Sequence, residues 1–135
     1  MSNAKQLQLV LVTPETTLLD EPVEALRLPL FDGQVGILPG RAPLVGRLGY
    51  GELKIRSAEG ERSFYVDGGF VQMEGSVVSV LTNRSMDASE IDAREAEAQL
   101  QDAIQRVPTT EHEFVAKARD QERARRMLSM TRSAN

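Results

Sequence analysis

The side chains able to do acid–base or covalent chemistry are few in this chain, and none has the company such chemistry needs. The single histidine, His112, stands between Glu111 and Glu113. A histidine carries protons when a second polar group orients it, and it binds a metal when other ligands share the ion. Alone on an acidic turn, His112 reads as a surface residue. Cysteine is absent, which excludes a thiol nucleophile, thiolate-bound zinc and a disulfide framework. Gly75-Ser76 lacks the flanking pattern of a nucleophile elbow. No Gly-x-x-x-x-Gly-Lys loop cradles phosphate, and the acidic residues show no calcium-loop spacing. Asn83-Arg84-Ser85 fits a glycosylation acceptor, but Met1 to Lys5 opens no signal-peptide core. These residues point away from an enzyme, a metal protein or a cofactor carrier.

What the chain does carry is an unusual segment, Asp32-Gly33-Gln34-Val35-Gly36-Ile37-Leu38-Pro39-Gly40-Arg41-Ala42-Pro43-Leu44. Glycine permits positive φ and tight reversals. Proline fixes φ and stays out of central ladders. The mixture predicts a rigid, shaped connection at one end of the fold. A stiff segment presenting Gln34, Arg41 and Ala42 loses little entropy on binding and so makes a good docking surface. Its plainer reading is a corner that only turns the chain.

Composition separates the elements that must hold this segment. All ten glycines lie between Gly33 and Gly75, and five of the six prolines precede residue 44. Alanine runs the other way, with four before residue 87 and nine after it. Glycine, proline and β-branched residues favour turns and strands, whereas alanine, glutamate and arginine favour helix. The chain of 135 residues therefore reads as a β domain over about 5–84 followed by a helical hairpin over about 88–131. Period-two alternation predicts strands at Lys5–Thr13, Val23–Leu28 and Glu52–Arg56, and a further strand at Ser63–Val66. Phe70–Met73 and Val77–Leu81 flank Glu74-Gly75-Ser76 as a hairpin. Short antiparallel strands at this spacing mean a sandwich or a barrel.

In the second part, Asp87 is the expected cap of the first helix, with Glu90 three residues on. Its expected seam is Ala93, Ala96, Leu100, Ala103 and Val107, and Pro108 stops it. Thr110 and Glu113 cap the second helix, whose expected stripe is Phe114, Ala118 and Leu128. The short connection makes the two helices antiparallel. An alanine seam buries little area, so the hairpin reads as the loosely held, mobile part. Residues 111–135 carry six basic and four acidic side chains, whereas residues 1–110 carry ten and sixteen. A basic tail on an acidic body suggests an acidic protein partner. The net charge of −4 argues against nucleic acid. No apolar run approaches the roughly 20 residues of a membrane-spanning helix, so no direct membrane insertion is expected.

The segment from Asp32 to Leu44 resembles the signature of the epsilon subunit of F-type ATP synthase. Tyr65-Val66-Asp67-Gly68-Gly69-Phe70, the run Val77-Val78-Ser79-Val80-Leu81, and a terminal hairpin entered through Glu90-Ile91-Asp92 resemble the same family. The resemblance covers about residues 5–130. It implies a β-sandwich of about ten strands followed by an antiparallel two-helix hairpin. It implies a non-catalytic, cofactor-free subunit of the central stalk, bound to the gamma subunit and to the ring of c subunits. Such a subunit lies peripherally at the cytoplasmic face of the inner (plasma) membrane. By resemblance, Asp32, Gln34, Pro39, Arg41, Ala42 and Pro43 face the c-ring. The hairpin would inhibit ATP hydrolysis by reaching the alpha–beta hexamer, with Arg119, Arg123, Arg125 and Arg126 as contacts.

Two departures qualify the likeness. Arg41 stands where relatives usually carry histidine, and Gln34 where an acidic residue is common. Some bacterial relatives also bind ATP as a regulatory ligand through a hairpin motif, which here would draw on Ile91, Asp92, Arg94, Arg123 and Arg126. The run Ile91-Asp92-Ala93-Arg94-Glu95-Ala96 moves the motif's arginine by one position, about 100° around a helix, and puts Glu95 in its place. The alternative function is accordingly a nucleotide-sensing sandwich and hairpin. An isolated carbohydrate- or peptide-binding sandwich would need aromatic platforms, and the chain has two tyrosines and no tryptophan.

Overall fold

The structure, a computed structural model, describes residues 6–134, with side chains through Thr131. Lys5, the expected start of the first strand, lies outside the described residues. In chain order the strands are β1 (Leu7–Thr13), β2 (Thr16–Val23), β3 (Ala25–Leu30), β4 (Gly33–Ile37), β5 (Leu44–Arg47), β6 (Tyr50–Ser57), β7 (Gly60–Asp67), β8 (Phe70–Glu74), β9 (Val77–Leu81) and β10 (Ser85–Asp87). They form two five-stranded sheets, ordered β2-β1-β9-β8-β5 and β10-β7-β6-β3-β4. Pairing is antiparallel except between β1 and β9. A 3-10 turn (Ala88–Glu90), α1 (Ala93–Gln105) and α2 (Glu111–Ala134) follow. This is the sandwich with a two-helix hairpin that the sequence predicts. The chain divides into two compact units, with the break between Asp87 and Ala88.

The sandwich exists because one phase of each alternating strand is aliphatic. Leu9 and Leu11 of β1 lie in register with Val78 and Val80 of β9, which pair in turn with Met73 and Val71 of β8, and Leu7 continues the same buried phase. Leu26, Leu28, Ile37, Leu53, Ile55, Phe64 and Val66 supply the second sheet's share of the same buried cluster. Each such side chain contributes about 1.5–3 kcal/mol when fully buried.

Several expectations need correction. The Asp32–Leu44 segment is not wholly a corner, because Gly33–Ile37 forms β4 at the edge of the second sheet. Its alternation, with Val35 and Ile37 against the core, is masked by Gly33 in the same phase and Gly36 in the other. The expected cap of α1 also moves. Asp87 ends β10, in register with Phe64. The cap is Asp92, whose carboxylate accepts the backbone N–H groups of Arg94 and Glu95 at 2.9 and 3.3 Å. Asp92 with Glu95 is an equally good capping box, and the strand pairing of Ser85–Asp87 decides between the two. Thr110 does cap α2, accepting the Glu113 N–H at 3.1 Å. Val107 and Phe114, expected on the helical seams, are exposed. α1 ends at Gln105, and Arg106 is already extended. Among the described side chains of α2, the buried ones are Ala124, Met127 and Met130.

Gly69 is the tightest point in the sandwich. Its φ is +108°, and an added Cβ would run into the Leu81 carbonyl oxygen. Its own carbonyl accepts the Leu48 N–H at 2.8 Å, so the backbone cannot easily step aside. We expect Gly69→Ala to cost at least about 2 kcal/mol, backbone strain plus the clash. Gly75, at φ +62° in open space, should accept asparagine with a small loss. Chemical denaturation of the two variants checks this, and equal stabilities would refute it.

Candidate protein-interaction site

Within the sandwich, the Asp32–Pro43 segment presents two separate groups of side chains. Asp32 lies in the turn between β3 and β4, and Gln34 is the second residue of β4. Both are exposed. At the other end of β4, Leu38-Pro39-Gly40-Arg41 makes a reversal closed by the Arg41 N–H on the Leu38 carbonyl at 3.3 Å. Proline second and glycine third, with φ +87° at Gly40, is the chemistry of a type II turn. Arg41 and Pro39 are half-buried, and Ala42 and Pro43 are exposed. The five residues of β4 span about 17 Å, so Asp32 and Gln34 do not share one patch with Pro39, Arg41, Ala42 and Pro43.

A surface that the sequence reading missed lies on the outer face of the first sheet. The registers Arg47–Phe70, Phe70–Leu81 and Leu81–Val12 align these residues across β5, β8, β9 and β1. Val45, one step along β5, is 76% exposed, Phe70 60% and Leu81 51%. Phe31 is 68% exposed, and the Arg47 guanidinium carbon stands 4.5 Å from its ring centroid. The Phe31 N–H donates to the Arg47 carbonyl at 2.8 Å, which fixes the row's end beside Asp32. Exposed aromatic, aliphatic and arginine side chains in one row have the composition of a protein-interface core. The available signal was a strand, Val77–Leu81, that is apolar in both phases.

In the helical unit, Asp120 of α2 collects three guanidinium groups. Arg106 Nη1 lies at 2.7 Å, Arg119 Nε at 3.2 Å and Arg123 Nη1 at 3.3 Å. Arg106 also holds Asp102 at 3.1 Å, and Lys117 donates to the Arg106 carbonyl at 2.8 Å. Asp120 thus ties the end of α1 to α2. Among the expected inhibitory cations, Arg119 and Arg123 share this carboxylate, Arg126 bonds Glu122 at 2.8 Å, and Arg125 is exposed. Of the residues proposed for nucleotide, Ile91 is half-buried, Asp92 is engaged as a helix cap and Arg94 is exposed one turn-start beyond it. Arg123 and Arg126 already hold carboxylates. Among the described residues, no group of acidic and histidine side chains is placed to hold a metal ion, and no helix is long and apolar enough to cross a membrane.

Residues 6–88 match the family profile of the ATP synthase delta/epsilon chain, beta-sandwich domain. An ATP synthase epsilon chain of Rhodopirellula baltica is 40% identical over 126 residues, covering 93% of this chain and 98% of that one. The chain belongs to the epsilon-chain family of F-type ATP synthases. A second epsilon chain, from Synechococcus sp. strain JA-2-3B'a(2-13), is 34% identical over 90% of both chains. Among solved structures, a chain of the Euglena gracilis mitochondrial ATP synthase, in an assembly of OSCP, F1 and c-ring, has the same fold. Its TM-score is 0.80 at 24% identity, over 96% of this chain and 81% of that one. An epsilon chain is a non-catalytic subunit of its complex, so the surfaces described above, rather than a reactive centre, are where its function is to be sought.

Acid titration should expose the Asp120 latch. Partial burial pushes the Asp120 carboxyl up, but hydrogen bonds and charge from Arg106 and Arg119 outweigh it and hold it below the usual range. Hydrogen bonds from the Thr109 backbone and hydroxyl likewise lower Glu113. Both folded values lie below the unfolded ones. Their stabilisation is therefore present above about pH 4 and is lost as pH falls through the lower folded values. Amide protection in α1 and α2, taken relative to the intrinsic exchange rate at each pH, should be constant from neutrality to about pH 5 and fall below about pH 4. Asp120→Asn should start with faster exchange at pH 7 and lose less on acidification. Identical profiles for both proteins would refute the latch.

Proposed function

We propose that this epsilon-family chain is a central-stalk rotor subunit that couples gamma to the c-ring and whose hairpin restrains ATP hydrolysis. The observation that carries the reading is the Phe31–Arg47–Phe70–Leu81 row, with Val45 beside it. An apolar row of this size, anchored by an arginine on a rigid sheet, suits a large protein partner, and gamma is the partner the family supplies. The turn bearing Asp32 continues from the end of that row, and the Pro39–Pro43 corner adds a second rigid projection. Both suit short polar loops such as those of a c-ring. A role in docking supports reading the chain as peripheral, at the cytoplasmic face of the inner (plasma) membrane. The nucleotide-sensing alternative gains less support, because Asp92, Arg123 and Arg126 are engaged within the hairpin.

Two experiments test the reading. Phe70→Glu puts an unpaired charge in the row's centre and should weaken co-purification with gamma by tenfold or more, a loss of about 2 kcal/mol typical of interface anchors. Undiminished recovery of gamma would remove the row from the interface. Truncation after Ser89 keeps every strand, since β10 ends at Asp87. The truncated chain should fold, assemble and raise ATP hydrolysis by the complex. Unchanged hydrolysis would show that the hairpin is not a brake.

A further inference from the structure

The outer face of the second sheet carries a charge pattern that the docking surfaces leave unexplained. Arg27 of β3 lies in register with Lys54 of β6, and Arg56 follows two residues on, opposite Ala25. All three stand on the face opposite Leu26, Leu28, Leu53 and Ile55, which are buried. Together they line a cavity of about 330 Å³ that also includes Gly36, Leu38 and Glu61. Like charges directly across a ladder destabilise a sheet. Among the described residues, none of these three cations forms an ion pair with a carboxylate. Glu61 is the one acidic residue on the lining, so three cations and one anion give a local net charge of +2 on a chain of net −4. Gly36 lies opposite Arg27, and a Cβ there would meet nothing closer than the Leu26 carbonyl oxygen at 4.0 Å. That missing side chain keeps the cavity open beside the cations, and exposed Leu38 forms an apolar wall.

We propose that this cavity binds a small organic phosphate, with Arg27, Lys54 and Arg56 holding the phosphate oxygens and Leu38 packing on the carbon skeleton. Charge-assisted hydrogen bonds from arginine suit phosphate geometry, and the volume suits a small ligand rather than a macromolecule. The site lies on the sandwich and is independent of the docking proposed above.

Nuclear magnetic resonance titration of the full chain tests it, with glucose 6-phosphate and inorganic pyrophosphate as probes and glucose as the neutral control. Both phosphates should shift the amides of Arg27, Gly36, Lys54 and Arg56, saturating by about 10 mM, and the shifts should shrink in about 0.5 M salt. Glucose should shift none of them. The double variant Arg27→Gln/Arg56→Gln should weaken binding by about tenfold or more. Arg27→Gln alone should melt no lower than the parent, because its like-charge repulsion with Lys54 across the ladder is relieved. Gly36→Val narrows the cavity beside Arg27 without removing a charge and should weaken the response to glucose 6-phosphate while the remaining spectrum holds. The proposal is overturned if neither phosphate shifts these amides, or if both variants bind as the parent does.

Discussion

The seam between the two sheets is the constraint on which the rest depends. It is filled with leucine, isoleucine and valine, with Met73 and Phe64 as its larger members, in a chain that has four phenylalanines and no tryptophan. Because side chains alternate along a strand, committing one phase to the seam sends the other phase outward without further choice. The outer surfaces are therefore a by-product of core formation, and a one-residue slip would bury them. With Leu9 and Leu11 in register with Val78 and Val80, the first sheet must present Val12, Phe70 and Leu81. With Leu53 and Ile55 inward, the second must present Lys54 and Arg56. A single packing requirement produces one apolar face and one cationic cavity.

The helical unit is organised on a different principle. α1 buries only Ala96 and Ala103, and alanine removes little area from water, so apolar contact contributes little along much of the seam. The Asp120 cluster supplies what the seam lacks at the end of α1. Exposed ion pairs are individually worth only about 0.2–1 kcal/mol, but three guanidinium groups on one half-buried carboxylate make a network. The consequence for the inhibitory reading is specific. Arg119 and Arg123 are not free cations awaiting a partner. An acidic surface that engages them must compete with Asp120, and drawing them away strips two of the three cations from that network. A brake built this way couples its grip on a partner to its own internal cohesion.

Much of this was legible in the sequence, and the illegible part has physical causes. Clean alternation announced β1, β3 and β6, and the Glu74-Gly75-Ser76 turn announced β8 and β9. Strand β4 was hidden because Gly33 breaks the inward phase it shares with Val35 and Ile37, and Gly36 breaks the outward one, leaving Gln34 alone to mark the alternation. The cap of α1 was misplaced because Asp87 and Asp92 each precede a glutamate at the right spacing. Only the pairing of Met86 with Tyr65, a contact between distant residues, shows that the chain is still in the sheet at Asp87. The apolar row was missed for a similar reason. Phe31, Arg47, Phe70 and Leu81 are far apart in the chain and meet only through the strand order β9-β8-β5. The Pro39-Gly40 turn, by contrast, is wholly local, and its residues predict its geometry.

That turn also bears on what the exchange of histidine for Arg41 does. The Arg41 backbone N–H closes the turn on the Leu38 carbonyl, and its guanidinium also touches the corner, Nη1 donating to the Ala42 carbonyl at 3.4 Å. What differs is the charge. A histidine at this place would titrate near neutrality and lend the corner a pH-dependent contact. A guanidinium remains protonated throughout that range and offers a planar set of donors. If the corner docks on c subunits as proposed, the arginine offers that contact a fixed charge and a planar fork of donors where a histidine would offer neither. The two carboxyls held below their usual range, Asp120 and Glu113, both lie in the hairpin, so the acid response traced above belongs to that unit and not to the corner.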